Sequence, residues 1–295
     1  MAPSTGPVAV VTGANSGIGR ATALHLASCG YRVFGTVRSL ANASKLLAAC
    51  EERGLTVDLV ELDVSDTESV AAGFNDIAQS SPRIDVLVNN AGVGGNGAVE
   101  EASVDDFAAS FNVNVMGAIR CIQQVLPQMR ARRSGTIVNV TSVVGRLAAI
   151  AQAPYVASKW ALEGVSEELA HEVAPFGIRV AIVEPGVTKS SIFAKNVDAP
   201  NLTGAYEMHN RRMFQFYAAG ITNASPADEV AHVIAHAIST DTPTLRYPCS
   251  WGGRTIIEGR QVLADEDWVA LGATTDDAAY FRDFSRLFGV NLTDE

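Results

Sequence analysis

What most constrains this chain is a rhythm. From residue 7 to residue 185, short runs rich in β-branched residues alternate with longer stretches of helical periodicity. Parallel strands can be joined only by long crossovers, normally helices, so the alternation predicts an α/β fold: a doubly wound parallel sheet with helices on both faces. The strand candidates are Val8–Thr12, Arg32–Val37, Val57–Leu62, Val86–Asn89, Gly135–Thr141 and Ile178–Val183. Helices are expected at roughly 17–29, 39–53, 66–80, 104–132 and 155–175. Such a sheet binds ligands outside the C-terminal ends of its strands.

After Pro185 the rhythm breaks. Residues 187–222 hold Phe193, Tyr206, Met208, Met213, Phe214, Phe216 and Tyr217, and read as a lid or helix pair over the sheet. Ser225-Pro226 followed by Asp228-Glu229 predicts a helix to about Ser239, with Ser as N-cap, Pro in the first turn and acids at the positive end of the dipole. Thr244–Tyr247 is the expected last strand. With no repeats, low-complexity tracts or linkers, residues 1–250 are expected to form one domain, and 251–295 an extension packed on it.

Composition excludes several classes. The net charge of −10 argues against a general nucleic-acid or anionic-membrane binder, which needs a basic face. Hydrophobic residues at 47% and charged ones at 18% suit a large core rather than a disordered chain. No run reaches the about 18 apolar residues of a membrane span, and the N-terminus lacks the pattern of a signal peptide. A soluble, cytoplasmic protein is the expectation. Cys29, Cys50, Cys121 and Cys249 are far apart in sequence and read as reduced thiols. His232 and His236 have helical spacing but no evident third ligand, so no metal site is expected. Arg130, Arg132 and Arg133 read as a solvated helix end. Most of the acidity lies late in the chain: residues 258–295 carry −6 and the rest −4.

The first strand ends in Thr12-Gly-Ala-Asn-Ser-Gly-Ile-Gly19, and a helix follows at once. Gly13, Gly17 and Gly19, with Asn15, Ser16 and Ile18 between them, let backbone amides and the positive helix end approach a phosphate. Glycines here would also suit a methyltransferase. The later strand ends narrow the choice: Val37-Arg38, Leu62-Asp63-Val64 and Asn89-Asn90-Ala91-Gly92 put polar or small residues in a line where a dinucleotide would lie, with Asp63 as an acceptor for an adenine amino group.

Tyr155 and Lys159 are four residues apart on one expected helix, so phenol and ammonium share a face. A nearby cation favours phenolate, and the phenol becomes a usable acid or base. Ser142 follows the fifth strand and is placed to hold a substrate oxygen beside that proton. Asn114 is a poor interior helix residue, expected to open its helix locally and hold a water linked to Lys159. Ala148, Ala149, Ile150 and Ala153, with the lid, offer apolar walls and favour a hydrophobic ketone or alcohol.

With five motifs in order over residues 7–250, the chain resembles the short-chain dehydrogenase/reductase family. The resemblance implies a Rossmann-type sheet of about seven strands and a nicotinamide dinucleotide. It also implies the tetrad Asn114, Ser142, Tyr155, Lys159: Tyr exchanges the proton, Lys binds the nicotinamide ribose, Ser orients substrate and Asn supports a relay. Pro185-Gly186 matches the family's Pro-Gly motif, with Thr188 or Ser190 as owner of the carboxamide contact. At the end of the second strand an acidic residue would suit NAD(H), but Val37 and then Arg38 stand there, and a guanidinium clamps a 2′-phosphate. NADP(H) is therefore expected, with an NAD-preferring dehydrogenase as the variant reading. Among relatives, hydroxysteroid and retinol-type dehydrogenases are nearest in flavour, with 3-ketoacyl reductases further off. A non-catalytic NADP(H)-binding sensor is the competing class, and a complete tetrad argues against it. A homodimer or homotetramer is expected through helices 104–132 and 155–175.

Overall fold

The structure is a computed structural model that describes residues 6–190 and 198–293. Among these, seven parallel strands form one sheet in the order β3-β2-β1-β4-β5-β6-β7. The strands are β1 (Val8–Val11), β2 (Arg32–Val37), β3 (Asp58–Glu61), β4 (Val86–Asn89), β5 (Gly135–Val140), β6 (Ile178–Pro185) and β7 (Arg246–Cys249). The chain winds outward to β3, returns to place β4 beside β1, and then winds the other way. Val11 pairs with Gly35 on one side and Val88 on the other, so the order reverses at β1 and β4.

The two-residue period of a strand divides the core. Ala9 and Val11 face one cluster, with Val33, Val86, Val88, Val138 and Val183. It is covered by helix α1 (Gly17–Ser28) and helix α8 (Ala227–Ser239) through Leu24, Leu26, Val230 and Ile234. Val8 and Val10 face the other cluster, with Phe34, Leu87, Ile137 and Val180. Helix α3 (Thr67–Ser80), helix α5 (Gly117–Arg132) and helix α6 (Ala153–Val173) cover that side through Phe74, Ile77, Val125, Met129 and Leu169. Helix α2 (Ser44–Arg53) follows a short 3₁₀ turn at Leu40–Asn42, so the helix expected at 39–53 is two pieces. No helix among the described residues is long and apolar enough to cross a membrane.

Three expectations are corrected. The helix expected at 104–132 is helix α4 (Val104–Phe111), a π turn at Asn112–Met116 and then α5. Of the lid segment, Phe193 lies outside the described residues, and the described part holds helix α7 (Glu207–Asn223). Ser225 does not cap α8: Pro226 holds the N-cap place. The Ser225 backbone instead pairs with the chain after β6, donating to the Val187 carbonyl at 3.2 Å and accepting from the Lys189 amide at 2.9 Å. The last strand begins at Arg246, two residues later than expected.

Beyond β7 lie helix α9 (Gly253–Val262), helix α10 (Asp265–Gly272) and helix α11 (Asp277–Phe288). Their apolar faces meet in a third cluster, with Ile256, Leu271, Tyr280, Phe284, Phe288, Val290 and Leu292 closing on Leu147 beside the cleft. Phe216 of α7 packs edge-on against Phe284, ring centroids 6.2 Å apart, so α7 rests on this cluster. Phe284 is 5% exposed. Its truncation to alanine is expected to cost about 3–5 kcal/mol, measured by urea unfolding; a loss under about 1 kcal/mol would show that the C-terminal helices do not share the body's cooperative unit.

Candidate active site

Where β1 and β4 part, two side chains hold the strand ends. The Thr12 hydroxyl accepts from the amides of Asn90 and Ala91, both at 3.0 Å, and the Asn90 side-chain amide donates back to the Thr12 carbonyl at 2.9 Å. Gly13 has φ +68°, and a Cβ at Gly19 would stand 2.3 Å from the Gly13 carbonyl oxygen. The turn therefore closes only with glycine at these positions. Ser16 is the N-cap of α1 but makes no side-chain cap, and the Oδ1 of Asn15 is buried without a partner.

A cavity of about 600 Å³ runs along these strand ends. Gly13, Asn15, Ser16, Gly17 and Ile18 line it at one side, with Arg38, Asp63 and Val64 on the adjoining strand ends. Asn90, Ala91, Gly92, Pro185, Gly186, Thr188 and Ser190 line its middle, and Ser142, Tyr155 and Lys159 its far wall. Buried Gly19 supports the turn from beneath, and buried Asn114 stands behind Gly92, its Oδ1 being 3.1 Å from where a Gly92 Cβ would be. The structure thus brings the sequence-predicted cofactor and proton-handling residues to one crevice, whereas Ala148, Ala149, Ile150 and Ala153, expected as an apolar wall, do not line it, and Ala149 and Ile150 face a smaller recess instead.

The local conformations explain several placements. The π turn at Asn112–Met116 opens the helix at Asn114, as its poor helix preference suggests. Both ends of its side chain are engaged. Oδ1 accepts from the Val93 amide at 2.8 Å, while Nδ2 donates to the Val93 carbonyl and the Ser158 hydroxyl, both at 2.9 Å. Pro154 in the first turn of α6 starts that helix early enough to present Tyr155 and Lys159 one turn apart. Lys159 Nζ donates to the Val140 carbonyl at 3.0 Å. It lies 5.7 Å from the centroid of the Tyr155 ring.

The electrostatics differ from the expectation in one respect. Burial pushes the Tyr155 phenol above its ordinary value, and the hydrogen bond with Ser142 opposes that rise only in part. Burial also lowers Lys159 to about 8, against the pull of the Glu163 carboxylate. The ammonium that was expected to lower the phenol lies over the ring and is itself weakened by desolvation. At Asp63, burial is outweighed by hydrogen bonds from Ser65 and by the Arg38 guanidinium, and the carboxyl is lowered. Arg38 is exposed. Thr188 spends its hydroxyl on Ser250 at 3.0 Å, whereas Ser190 approaches Gly17.

Sequence reasoning missed a layer behind this wall. Thr141 donates to Glu163 at 2.6 Å, and Arg246 binds Glu163 at 3.0 Å and Glu167 at 2.6 Å. Glu184, 1% exposed and just before Pro185, meets Arg146 at 3.4 Å and Arg246 at 3.7 Å. Burial, with Glu163 adding to it, raises Glu184 to about 7 against the two guanidinium groups. The spacing of Glu163 from Lys159, one helical turn, was the available signal. Tyr217 of α7 donates to Asn96 at 2.8 Å and reaches the cavity wall. Burial, with Tyr155 close by, raises its phenol too.

The glycine turn, which a Cβ would fill, and the cation at the second strand end fit a phosphate-bearing dinucleotide, and the orphaned Asn15 oxygen is an acceptor suited to a hydroxyl rather than to a phosphate. Comparison with known proteins agrees. The sequence matches the family model described as short chain dehydrogenase over residues 7–201. It is 36% identical over 253 residues to the 17-beta-hydroxysteroid dehydrogenase type 1 of Mus musculus, covering 81% of this chain and 72% of that one. The fold is similar to a short-chain dehydrogenase from Streptomyces avermitilis, with TM-score 0.77 and 34% identity over 96% of this chain and 98% of that one. A metagenomic short-chain oxidoreductase solved in complex with NADP gives TM-score 0.65 and 28% identity over 81% of this chain and 95% of that one.

The state of Lys159 is directly measurable, because the chain has only four lysines, Lys45, Lys159, Lys189 and Lys195. In an NMR titration of the lysine ε-carbons, one resonance is expected to move near pH 8 and to vanish in Lys159→Met. All four moving together at the ordinary lysine value would refute the desolvated ammonium.

Proposed function

The chain belongs to the short chain dehydrogenase family of oxidoreductases, and on that premise we propose that it interconverts a carbonyl and a secondary alcohol on a largely apolar substrate with NADP(H) as cofactor. One observation carries this reading: the glycine turn and the Tyr155, Ser142 and Lys159 wall open into the same cavity. The cofactor's phosphates would rest on the turn at Gly13–Gly19, its adenine near Asp63 and Val64, and its nicotinamide end between Asn90–Gly92 and Pro185–Gly186. Thr188 or Ser190 would meet the carboxamide. When bound, the nicotinamide ring supplies the hydride to the carbonyl carbon or takes it back from the alcohol carbon.

The chain's own residues handle the proton and the geometry. In reduction, the raised Tyr155 phenol keeps its proton until negative charge develops on the carbonyl oxygen and then gives it up. Ser142, hydrogen-bonded to Tyr155, holds that same oxygen and so fixes which atom receives the proton. The Lys159 ammonium beside the ring stabilises the phenolate left behind. Asn114 ties Val93 and Ser158 to the helix that carries this wall, beyond the relay role that the family resemblance gives it. Val93, Val143, Val144 and Phe216 make the remaining wall apolar, which suits a hydrophobic substrate. Exposed Met116, at the end of the π turn before α5, and exposed Trp160 of α6 suit pairing with a second copy.

Arg38 supports NADP(H) over NAD(H): it is exposed, lines the cavity at the end of β2, and follows Val37 where an acid would otherwise stand. Two substitutions test the reading. Tyr155→Phe should lower ketone reduction by at least about a hundredfold while NADPH binding, followed by fluorescence, stays within a few-fold of the parent; unchanged turnover removes Tyr155 from the mechanism, and a parent protein that binds NADPH without turnover is a sensor. Arg38→Asp should weaken NADPH relative to NADH by roughly tenfold or more, read as the ratio of kcat/KM values, and an unaltered ratio would overturn the cofactor assignment.

A further inference from the structure

Behind the proton-handling wall stands a carboxylate that does not line the cavity. Glu163 is 5% exposed and lies one turn after Lys159 on α6, so the two side chains share a face of that helix. Each of its oxygens has its own donor. Oε1 accepts from the Thr141 hydroxyl at 2.6 Å, and Oε2 accepts from Arg246 Nε of β7 at 3.0 Å. Thr141 stands between Val140, whose carbonyl accepts from Lys159 Nζ at 3.0 Å, and Ser142. Gly145 ends the 3₁₀ turn that Ser142 caps, and a Cβ there would stand 2.9 Å from Glu163 Cγ and 3.2 Å from the Lys159 carbonyl oxygen. The segment that carries Ser142 therefore rests on Glu163 twice, at Thr141 and again at Gly145.

A carboxylate is costly to bury, and a neutral amide would serve as well if Thr141 needed only an acceptor. The surroundings are arranged for charge instead. Besides Lys159, the cations here are Arg246 of β7 and Arg146 after the Ser142 turn; the other acids are Glu184 of β6 and Glu167, one turn further along α6. Arg246 meets Glu163 at 3.0 Å, Glu167 at 2.6 Å and Glu184 at 3.7 Å, and Arg146 meets Glu184 at 3.4 Å. Burial first, and Glu163 second, push Glu184 up to about 7, so near neutral pH it gives up part of its hold on Arg246. Glu163 also acts on Lys159: it opposes the desolvation that brings that ammonium down to about 8.

We propose that Glu163 is a positioning residue for the reaction: clamped by Arg246, it fixes through Thr141 the strand end that carries both the acceptor of Lys159 Nζ and the Ser142 hydroxyl. The same carboxylate supplies the negative charge that keeps Lys159 an ammonium beside the Tyr155 ring. The proposal rests on the reading that the cleft reduces a carbonyl, and it adds what holds the proton-handling groups in register. Removing the charge at 163 favours the neutral amine, so Lys159 then gives up its proton at a lower pH, and the phenolate formed at Tyr155 loses its counterion sooner as the pH rises.

The test uses the full chain, two substitutions and apolar ketones, with NADPH absorbance followed across neutral and alkaline pH. Rates are referred to the number of NADPH sites, counted by fluorescence titration. Glu163→Gln keeps the volume and an acceptor for Thr141 but removes the charge. It is expected to lower kcat about tenfold near pH 8 with KM within about threefold of the parent, and to move the alkaline fall of kcat and the Lys159 ε-carbon resonance together to lower pH. Thr141→Val cuts the link and leaves the charge, so kcat should fall about tenfold at every pH while the Lys159 resonance stays at about 8. A merely structural role would reduce the number of NADPH sites and leave the pH profile where it was. That result, an unmoved resonance in Glu163→Gln, or an unchanged kcat in Thr141→Val overturns the proposal. If the parent protein reduces no ketone, the carbonyl-reduction reading fails and the resonance alone decides: a move to lower pH in Glu163→Gln supports the hold on Lys159, and no move sinks it. Should Glu163→Gln fail to fold, the kcat of Thr141→Val decides.

Discussion

The join between Thr12 and Asn90 is the constraint on which the rest of the molecule depends. A parallel sheet that reverses its order leaves two strand ends whose following loops go to opposite faces, and nothing in the ladder holds those loops in place. Here one hydroxyl accepts two backbone amides of the β4 loop, and one side-chain amide returns to the β1 carbonyl. Amides that would otherwise need water are thereby satisfied beneath the cavity floor. The two loops stay apart at a fixed spacing, and the glycines of the first can come within contact of the second: a Cβ at Gly13 would stand 3.0 Å from the Ala91 Cα. The crevice is the consequence.

The proton-handling wall depends on a second irregularity, the π turn around Asn114. A helix of ordinary pitch through residues 112–116 would keep Asn114 in the ladder's period. The wider turn gives it room to bind both the β4 loop, through Val93, and α6, through Ser158. Lys159 is then held from two sides, by the Val140 carbonyl at its tip and by Glu163 one turn along. Glu163 is fixed in turn by Thr141 and Arg246, and Arg246 also faces Glu184. Burying these charges costs desolvation that pairing offsets only where geometry is good, so the return on the network is positional. It fixes the strand ends that carry Ser142 and Pro185, immediately next to Thr141 and Glu184.

How much of this was legible in the sequence follows from how local each signal is. Strand and helix periods are local, and all seven strands appear in the expected chain order, with boundary shifts of one or two residues. That the glycine turn, Ser142, Tyr155 and Lys159 would meet at one crevice was legible because these residues are close in sequence or end successive strands. The failures are nonlocal. Ser225 has the residue type of a cap, but its backbone is taken by residues 187 and 189, and no local rule sees that pairing. The phenol of Tyr155 was expected to be lowered by a cation, which ignores that both groups are buried by the same walls and desolvated together. Arg212 stands in a polar-looking Asn-Arg-Arg run, and only the late packing of Tyr280 and Asp277 makes it internal.

The C-terminal helices give the acidic late region a structural meaning. Their aromatic faces form a core of their own that meets the body through Leu147 and the lid through Phe216. The carboxylates stay mostly outside this core, and Asp277 is the one that turns toward the lid's guanidinium groups. A lid held only by apolar packing has many nearly equivalent seats, since dispersion is not directional. A guanidinium with two fixed acceptors and an aromatic face has one. The ion pair therefore sets where α7 lies over the cleft, while Phe216, Phe284 and Phe288 supply the burial that keeps it there. The helix that brings Phe216 and Tyr217 to the cleft is thus seated by residues 251–293, which lie wholly outside the stretch that the family model matches.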